Sequence, residues 1–285
     1  MASTLGCQGS LFNSFAQPAD EAIVAVQGGT NLYRVNLSTG VVTTIAVPTI
    51  QSIALIGQDT ILGVNFSPAV LVVYLIDLIG GGVRTLGTLT IPSFFTFDTI
   101  AVVDRDNVLI SGSTSSGSDA YIYRLNLPTF TGSVVKTWIG LGGGATHIAL
   151  ENDQSAIVQL FGGNVYRLNL NDYSDTLLLT IPTNTRHLAL VPNRNLALVV
   201  HQSGTSTPIT RIDLNTNTPL SPLGTFADGA GEGIALENSQ SVLVGNNNAA
   251  AGGLYRVDLD SGVTRRVDDG TFSTLLITDI AVRFR

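Results

Sequence analysis

The stretch Leu32-Tyr33-Arg34-Val35-Asn36-Leu37 sets a pattern that returns five more times along the chain. Each copy reads apolar, Tyr, Arg, apolar, Asn or Asp, Leu, and successive copies are 41, 49, 43, 44 and 45 residues apart at the Tyr position. Two copies depart from it, with Leu75 in place of Arg and Thr210 in place of Tyr. A period of this length predicts a ring or array of similar units.

A second motif, an alanine between two aliphatic residues, alternates with the first. Alanine is a poor choice for the centre of a strand, so its return at one register indicates a crowded position. The innermost strands of a propeller converge on a narrow axis, which would require a small residue. The six copies are Ile53-Ala54-Leu55, Ile100-Ala101-Val102, Ile148-Ala149-Leu150, Leu188-Ala189-Leu190, Ile234-Ala235-Leu236 and Ile280-Ala281-Val282.

Two further apolar runs complete each repeat. One lies between the motifs, as at residues 196–201, and one follows a Gly- or Asn-rich turn after the Tyr-Arg motif, as at residues 176–181. We name the four strands A to D in chain order. Four short strands in about 45 residues are typical of a propeller blade. The chain is therefore predicted to be an all-β, six-bladed β-propeller of four-stranded antiparallel blades.

The ends of the repeat pattern predict how the ring closes. The first B-C-D set, residues 22–47, has no strand A before it, and the last strand A, residues 278–283, has no B-C-D set after it. Pairing the C-terminal strand with the N-terminal ones would complete blade 1 and remove exposed sheet edges. The predicted organisation is an N-terminal extension over 1–21 and one propeller over 22–285. Its blades are 22–50 plus 278–285, 51–97, 98–145, 146–185, 186–231 and 232–277.

Composition excludes several classes of protein. The 285 residues carry a net charge of −7 and include one lysine, Lys136, so no basic stripe is present for a nucleic-acid partner. No apolar run reaches the length of a membrane span. Only 12% of residues are charged, and Thr, Ser and Asn supply much of the polar surface, which favours an extracellular or cell-surface setting. Residues 1–20 lack the features of a signal peptide, and Cys7 is the sole cysteine.

The repeats resemble a known family. Tyr-Arg-Val-Asn/Asp-Leu-x-x-Gly, at 33–40 and 255–262, is similar to the repeats of NHL- and YVTN-type β-propellers. The resemblance covers nearly the whole chain from residue 22 and implies the fold. It leaves the function open, because such propellers include lactonases, lyases, sugar- and protein-binding modules and cell-surface proteins.

The positions before each alanine motif are the candidate site. In the family's usual layout, ligands bind around the central channel, on the face where strands A begin. The immediately preceding residues are Ser52, Thr99, His147, His187, Gly233 and Asp279, and those before them are Gln51, Asp98, Thr146, Arg186, Glu232 and Thr278. The candidate binding residues are Gln51, Asp98, His147, Arg186, His187, His201, Glu232 and Asp279.

Three histidines form a candidate metal site. A hairpin turning at 192–195 is expected to pair His187 with His201, and His147 begins strand A of the adjacent blade. Three imidazoles with an open fourth position are ligands that catalytic zinc uses. The resemblance to amidating lyases implies zinc at channel-mouth histidines. The lactonase branch implies calcium instead, with oxygens from Gln51, Asp98, Glu232 or Asp279. The alternative interpretation is a polar channel lining that binds no cofactor.

Two functions remain open. The first is a non-catalytic binding or assembly module for a protein or glycan partner, or for a second copy of the chain. It needs no special residue and fits the lysine-poor, Thr- and Ser-rich surface. The second is a metal-dependent hydrolase or lyase, lactonase-like or amidating-lyase-like, which requires the histidine site. No catalytic residue is predicted, and the first function is favoured.

Overall fold

The computed structural model describes residues 19–67, 70–91, 95–114, 116–141, 144–181, 184–202, 206–227, 231–247 and 252–284. Cys7 and most of the predicted N-terminal extension lie outside them. Two single-turn 3-10 helices, Pro192–Arg194 and Thr271–Ser273, occur between strands. Within these ranges no helix has the length and apolar character needed to cross a bilayer.

Six antiparallel sheets make up the described chain, each with the order A-B-C-D. Blades 1 to 3 are Ile277–Arg283, Glu21–Val26, Asn31–Asn36 and Val42–Ala46; Ser52–Leu55, Thr60–Ser67, Val70–Asp77 and Val83–Thr90; and Phe95–Val102, Asn107–Thr114, Ala120–Asn126 and Thr131–Trp138. Blades 4 to 6 are Ala145–Leu150, Ser155–Leu160, Asn164–Asn169 and Asp175–Thr180; Asn184–Val191, Leu196–Gln202, Ser206–Asp213 and Thr218–Leu220; and Gly231–Leu236, Ser241–Asn246, Gly253–Asp258 and Thr264–Arg266. In blade 5 an extra strand, Thr225–Ala227, pairs with the start of strand C.

The ring closes as the repeat pattern predicts. Strand Ile277–Arg283 pairs antiparallel with Glu21–Val26, with Ile280 opposite Val24. Each strand A also contacts the strands A of both neighbouring blades, around the full circle of six. Strands A are therefore innermost, and the all-β, six-bladed prediction is confirmed. Because strands alternate in direction, the D–A and B–C connections share one face, which we call the entrance face. The A–B and C–D turns share the other, the turn face.

The hydrophobic core is divided between the blades. Six apolar clusters occur among the described residues, one at each contact between neighbouring blades. Strands B are covered on both sides, so that every residue of Glu21–Val26 and of Ser241–Asn246 is buried. Burial of both faces explains why these strands read as nearly continuous apolar runs rather than as an alternation.

The repeated Asn or Asp of the Tyr-Arg motif caps the C–D turn. Asn36 Oδ1 accepts hydrogen bonds from the backbone N–H groups of Ser38 (3.0 Å) and Thr39 (2.9 Å). Side-chain-to-backbone bonds of this kind stabilise a tight turn. The other five motif residues accept turn N–H groups in the same way: Asp77, Asn126, Asn169, Asp213 and Asp258.

The repeated Arg connects one blade to the next. Arg34 donates to the carbonyl of Leu78 (2.8 Å), which is the last residue of the Tyr-Arg motif in blade 2. Arg167 binds Leu214 in the same way at 2.9 Å, and Arg256 binds Leu37 at 3.2 Å. We call this contact the Arg latch. Each of the three guanidinium groups also pairs with a carboxylate of its own blade: Glu21, Glu151 and Glu237.

Removing residues 279–285 should open the ring. The deletion removes most of strand A of blade 1, including buried Ile280 and Val282. Each such aliphatic side chain contributes about 1.5–3 kcal/mol by burial, and at this chain length about 1 kcal/mol corresponds to 2–4 °C. We expect the melting temperature, followed by circular dichroism, to fall by more than about 10 °C. Deletion of Arg285 alone is the control, and a truncated chain that melts within a degree or two of it would refute this closure.

Candidate functional site

Each strand A has a β-bulge at the same place, next to the entrance face. In blade 3, Phe97 pairs with Gly112 and Thr99 with Ser111, which leaves Asp98 as the extra residue. The same irregularity leaves Thr278, Thr146 and Arg186 as extra residues in blades 1, 4 and 5. A bulge bends its strand and re-aims a side chain, and bulges recur beside binding sites.

The bulge is present in the remaining two blades as well. In blade 2, Ser52 pairs with Val64 while the N–H of Gln51 donates to the carbonyl of the same Val64 (2.8 Å). In blade 6 the register shifts between Gly231 and Ile234, across Glu232 and Gly233. Seven of the eight candidate binding residues belong to the bulges or directly follow them: Gln51, Asp98, His147, Arg186, His187, Glu232 and Asp279. We call the bulged positions the bulge row: Gln51, Asp98, Thr146, Arg186, Glu232 and Thr278.

In blades 1, 2 and 3 the next residue of strand A bonds to the neighbouring blade. Asp279 Oδ2 accepts hydrogen bonds from Ser52 Oγ (2.6 Å) and from the N–H of Ile53 (2.9 Å). Ser52 Oγ in turn accepts the N–H of Ile100 (3.3 Å). The same contact is made from blade 3, where Thr99 Oγ1 accepts the N–H of Ile148 (3.2 Å). A buried N–H needs such a partner, so these side chains hold adjacent blades together.

In blades 4, 5 and 6 the equivalent position of strand A carries other residue types. The His147 and His187 rings lie 4.9 Å apart between blades 4 and 5. In blade 6 this position is Gly233, whose φ of +90° favours glycine and where a Cβ atom would lie 3.2 Å from Ile280 Cγ1. We call this set the axial belt: Ser52, Thr99, His147, His187, Gly233 and Asp279.

Burial shifts the pKa of four ionisable groups at the entrance. It raises the pKa of Asp98 to about 7 and that of Asp279 to about 6, the latter against the opposing effect of its hydrogen bonds. Burial lowers the pKa of His187 to about 4, with a further contribution from the charge of Arg186. The pKa of His147 is lowered well below its usual value by burial and by His187. Both imidazoles are therefore neutral at pH 7.

His201 does not pair with His187, and that prediction is wrong. Val191 pairs with Leu196 across the turn, which places His187 opposite Val200. Beyond the bulge at Arg186, His201 pairs with Thr185. Successive residues of a strand point to opposite faces, so His201 and His187 lie on opposite faces of the sheet. His201 Nε2 is instead hydrogen-bonded to Thr210 Oγ1 at 2.7 Å.

The other predicted residues differ in the contacts that their side chains make. Gln51 Oε1 accepts the N–H of Phe66 (2.7 Å) and so supports a B–C connection. The Arg186 guanidinium carbon lies 5.5 Å from the centre of the Phe161 ring. Glu232 belongs to strand Gly231–Leu236, but its side chain lies outside what the structure describes. Within the described ranges, no three or more His, Cys, Asp or Glu side chains group closely enough to hold a metal ion.

Two buried polar atoms beside the entrance have unused bonding capacity. His147 Nδ1 and Thr278 Oγ1 have no hydrogen-bond partner among the described residues. A buried polar atom of this kind gains free energy from any group that can bond to it. Thr278 lies two residues before an alanine motif, but the sequence does not single it out as a candidate binding residue. No residue type indicates in advance where a bulge occurs.

Comparison with solved structures supports the fold. No family model matches the chain, and no curated relative matches it either. A chain of the nidogen/laminin complex superposes with a TM-score of 0.73 at 10% identity, over 92% of this chain and 98% of that one. TolB from Acinetobacter baumannii has a TM-score of 0.66 at 16% identity, over 95% and 67%. A putative 6-phosphogluconolactonase from Bacteroides fragilis has a TM-score of 0.60 at 12% identity, over 92% and 98%. At these identities the likeness shows the propeller fold alone.

Replacing Thr99 by Val should weaken the contact between blades 3 and 4. The substitution keeps the shape of the side chain but leaves the N–H of Ile148 without its acceptor, and it removes one of the two hydrogen bonds between residue 99 and Ser111 Oγ. We expect a loss of about 1–3 kcal/mol in the free energy of unfolding, measured in urea. Thr99→Ser retains the hydroxyl and should cost less. Equal stability of Thr99→Val and wild type would contradict the role of the axial belt.

His187 should make the protein less stable in acid. The unfolded chain binds a proton at this residue near pH 6.5, but the folded ring does so only near pH 4. Between these values the unfolded state holds more protons, so the contribution of His187 to stability is lost as pH falls from 6.5 to 4. Asp98 and Asp279 have raised pKa values and act in the opposite direction, since their contributions are lost as pH rises through about 7 and 6.

A comparison of wild type with His187→Gln isolates the contribution of this histidine to the pH dependence of stability. Urea unfolding of wild type and His187→Gln is measured at pH 7, 5.5 and 4. We expect the free energy of unfolding of wild type to fall more steeply towards pH 4 than that of His187→Gln, because only the wild type has the titrating imidazole. Two parallel pH profiles would show that His187 is not buried in its neutral form.

Proposed function

We propose that this NHL/YVTN-type propeller is a non-catalytic binding or assembly module, extracellular or at a cell surface, with a protein or glycan partner on its entrance face. The observation that carries the proposal is that two neighbouring rows of residues have different roles. The axial belt uses polar groups such as Asp279 and Thr99 to join the blades. The bulge row places chemically different residues, such as Gln51, Asp98 and Arg186, at equivalent positions of neighbouring strands.

The hydrogen bonds that the axial belt side chains already make argue against hydrolysis by these residues. A general base or nucleophile must reach a substrate atom with its own lone pairs or proton. Asp279 already accepts from Ser52, Ile53 and its neighbour Ile280, and Thr99 is bonded to both Ser111 and Ile148. Recruiting either group for chemistry would break contacts between blades.

The surface chemistry agrees with recognition by hydrogen bonds. Lys136 is bonded to Asp175 and lies 5.5 Å from the centre of the Trp138 ring, so it is engaged within the ring. With few charges, binding through polar side chains and their bound water is a better fit than electrostatic steering. The similarity to a chain of the nidogen/laminin complex supports the proposal only in that the same fold occurs in a protein complex.

The alternative is a metal-dependent hydrolase or lyase at the channel entrance. The observation in its favour is the close pair of neutral imidazoles, His147 and His187. The full three-histidine set does not fit, because His201 is bonded to Thr210 on the other face of its sheet. Two nitrogens are fewer than the three protein ligands of a typical catalytic zinc site, and calcium would need oxygens such as those of Asp98.

A comparison of matched variants tests the proposal. Wild type, Arg186→Ala on the entrance face and Asp106→Ala on the turn face are immobilised, and the partners that each retains from extracellular extract are quantified. An interfacial Arg often contributes about 2 kcal/mol or more, so we expect Arg186→Ala to lower retention about 30-fold and Asp106→Ala to leave it unchanged. Light scattering of each protein reports self-association.

Two results would favour the alternative over binding. One is a stoichiometric divalent metal in protein purified without an affinity tag. The other is turnover of lactones or uronic-acid oligosaccharides that His147→Ala abolishes. Partners retained equally by all three proteins would refute the entrance face as the binding surface.

A further inference from the structure

Two equivalent grooves lie on the turn face, on the side of the ring away from the entrance. They form at blades 4 and 6, where the sequence carries near-copies of one motif: Glu-Asn-Asp-Gln-Ser at 151–155 and Glu-Asn-Ser-Gln-Ser at 237–241. The blade 4 groove has a volume of about 330 Å³ and the blade 6 groove about 690 Å³. Both lie within the range of about 300–1,000 Å³ that is usual for ligand pockets.

The same repeat positions line both grooves. Asn152, Gln154 and Ser155 in blade 4 correspond to Asn238, Gln240 and Ser241 in blade 6. The Arg of the Tyr-Arg motif and its turn-capping residue complete each wall: Arg167 and Asn169 in blade 4, and Arg256 and Asp258 in blade 6. The two grooves thus share one set of repeat positions, and the larger one is extended by blade 1 residues such as Asn36, Leu37 and Ser38.

Turn geometry orients the amides in each groove. Asn152 Oδ1 accepts the N–H of Gln154 at 2.8 Å, and Asn238 Oδ1 accepts the N–H of Gln240 at 2.8 Å. With the oxygen held by the backbone, the Nδ2 group on the other side of the amide is directed away from the turn. Each groove therefore presents amide donors in a fixed direction beside the side-chain amide of Gln154 or Gln240.

Charges inside the grooves are balanced. Arg167 makes two hydrogen bonds of 2.8 Å to Glu151, and Arg256 likewise binds Glu237, whose side chain is 3% exposed. The shared repeat Arg of each groove is therefore neutralised by a carboxylate of its own blade, and the further charges of the blade 6 groove are of both signs: Asp20, Asp258 and Arg265. Such a wall favours a neutral ligand with many hydrogen-bonding groups over an anion or a cation.

We propose that these two grooves bind neutral carbohydrate, so that the propeller is a bivalent glycan-binding protein through its turn face. Sugar hydroxyls both donate and accept, which matches a wall of amides, hydroxyls and a bonded Arg–Glu pair. All eight residues that line the blade 4 groove are polar, and the blade 6 groove has ten polar residues beside Ala19, Leu37 and Val263. A protein partner would instead need an apolar centre for its anchor side chains. This site is separate from the entrance face and goes beyond the function proposed for that face.

Isosteric variants test the proposal without disturbing the fold. Asn152→Asp and Asn238→Asp retain the oxygen that caps each turn, as Asp104 does naturally in blade 3, but replace the outward donor by an acceptor. Asp104→Asn is the matched control at the equivalent turn position. Each protein is applied to an array of neutral oligosaccharides of glucose, galactose, mannose and N-acetylglucosamine, with uronic-acid oligosaccharides as acidic comparators. Calorimetry then gives the stoichiometry for the best neutral ligand.

The expected results are specific. Wild type and Asp104→Asn should bind two equivalents of a neutral oligosaccharide, and each single Asn→Asp variant should bind one. The double variant should bind at least about tenfold more weakly, as expected when a ligand loses one hydrogen bond and faces an unpaired group. Arg186→Ala should bind sugar as wild type does, which separates this site from the entrance face.

Several outcomes would overturn the proposal. These are no binding to any neutral oligosaccharide, a preference for the acidic comparators, or binding that the double variant leaves intact. A stoichiometry that responds to only one of the two substitutions would refute the equivalence of the grooves. A protein ligand that is lost with the double variant while no sugar binds would assign the turn face to a protein partner instead.

Discussion

A backbone N–H at the start of an innermost strand points to the neighbouring blade, and a side-chain oxygen there accepts it. Asp279, Ser52 and Thr99 accept the N–H groups of Ile53, Ile100 and Ile148 in this way. Because a buried N–H without a partner costs about 1–3 kcal/mol, the residue before the alanine motif in blades 1, 2 and 3 is constrained by the neighbouring blade as well as by its own strand. Asp279 comes from the last strand of the chain, so closing the ring and completing these bonds are one event.

The same constraint shapes the entrance face. A bulge before each belt position lets one strand serve two purposes at adjacent residues, one directed to the next blade and the other to the entrance. The residue types at the bulge can therefore differ between blades, as Asp98 and Arg186 do, over a common backbone geometry. The proposed binding positions and the residues that join the blades are therefore adjacent in sequence, which places the proposed surface directly over the most constrained part of the ring.

The structural features that could be predicted from the sequence differ in physical origin from those that could not. Blade number, strand order and turn capping depend on short-range patterns, such as Asn36 two residues before Ser38, and these patterns are visible in the chain itself. The pairing of His201 depends on where the 192–195 turn is centred and on the bulge at Arg186. A shift of the centre by half a residue changes every pair in the hairpin, and no residue type in the sequence indicates either feature. The Arg latches end on backbone carbonyls of another blade, and any residue type provides a carbonyl.

The Arg latches are unevenly distributed around the ring. They join blade 6 to blade 1, blade 1 to blade 2 and blade 4 to blade 5, while Lys136 and Trp138 of blade 3 bind Asp175 of blade 4. Leu75 stands where the latch to blade 3 would begin, and Arg211 bonds within blade 5, to Ser221. Blade 5 is joined to blade 6 by a different pair, Arg194 and Asp260, so the outer polar contacts between blades use a latch at three junctions and other side chains at two more. Since each latch ends on a backbone carbonyl, Leu37, Leu78 or Leu214 could be exchanged for another residue type without removing the acceptor, so the blade that receives a latch is free to vary at that position.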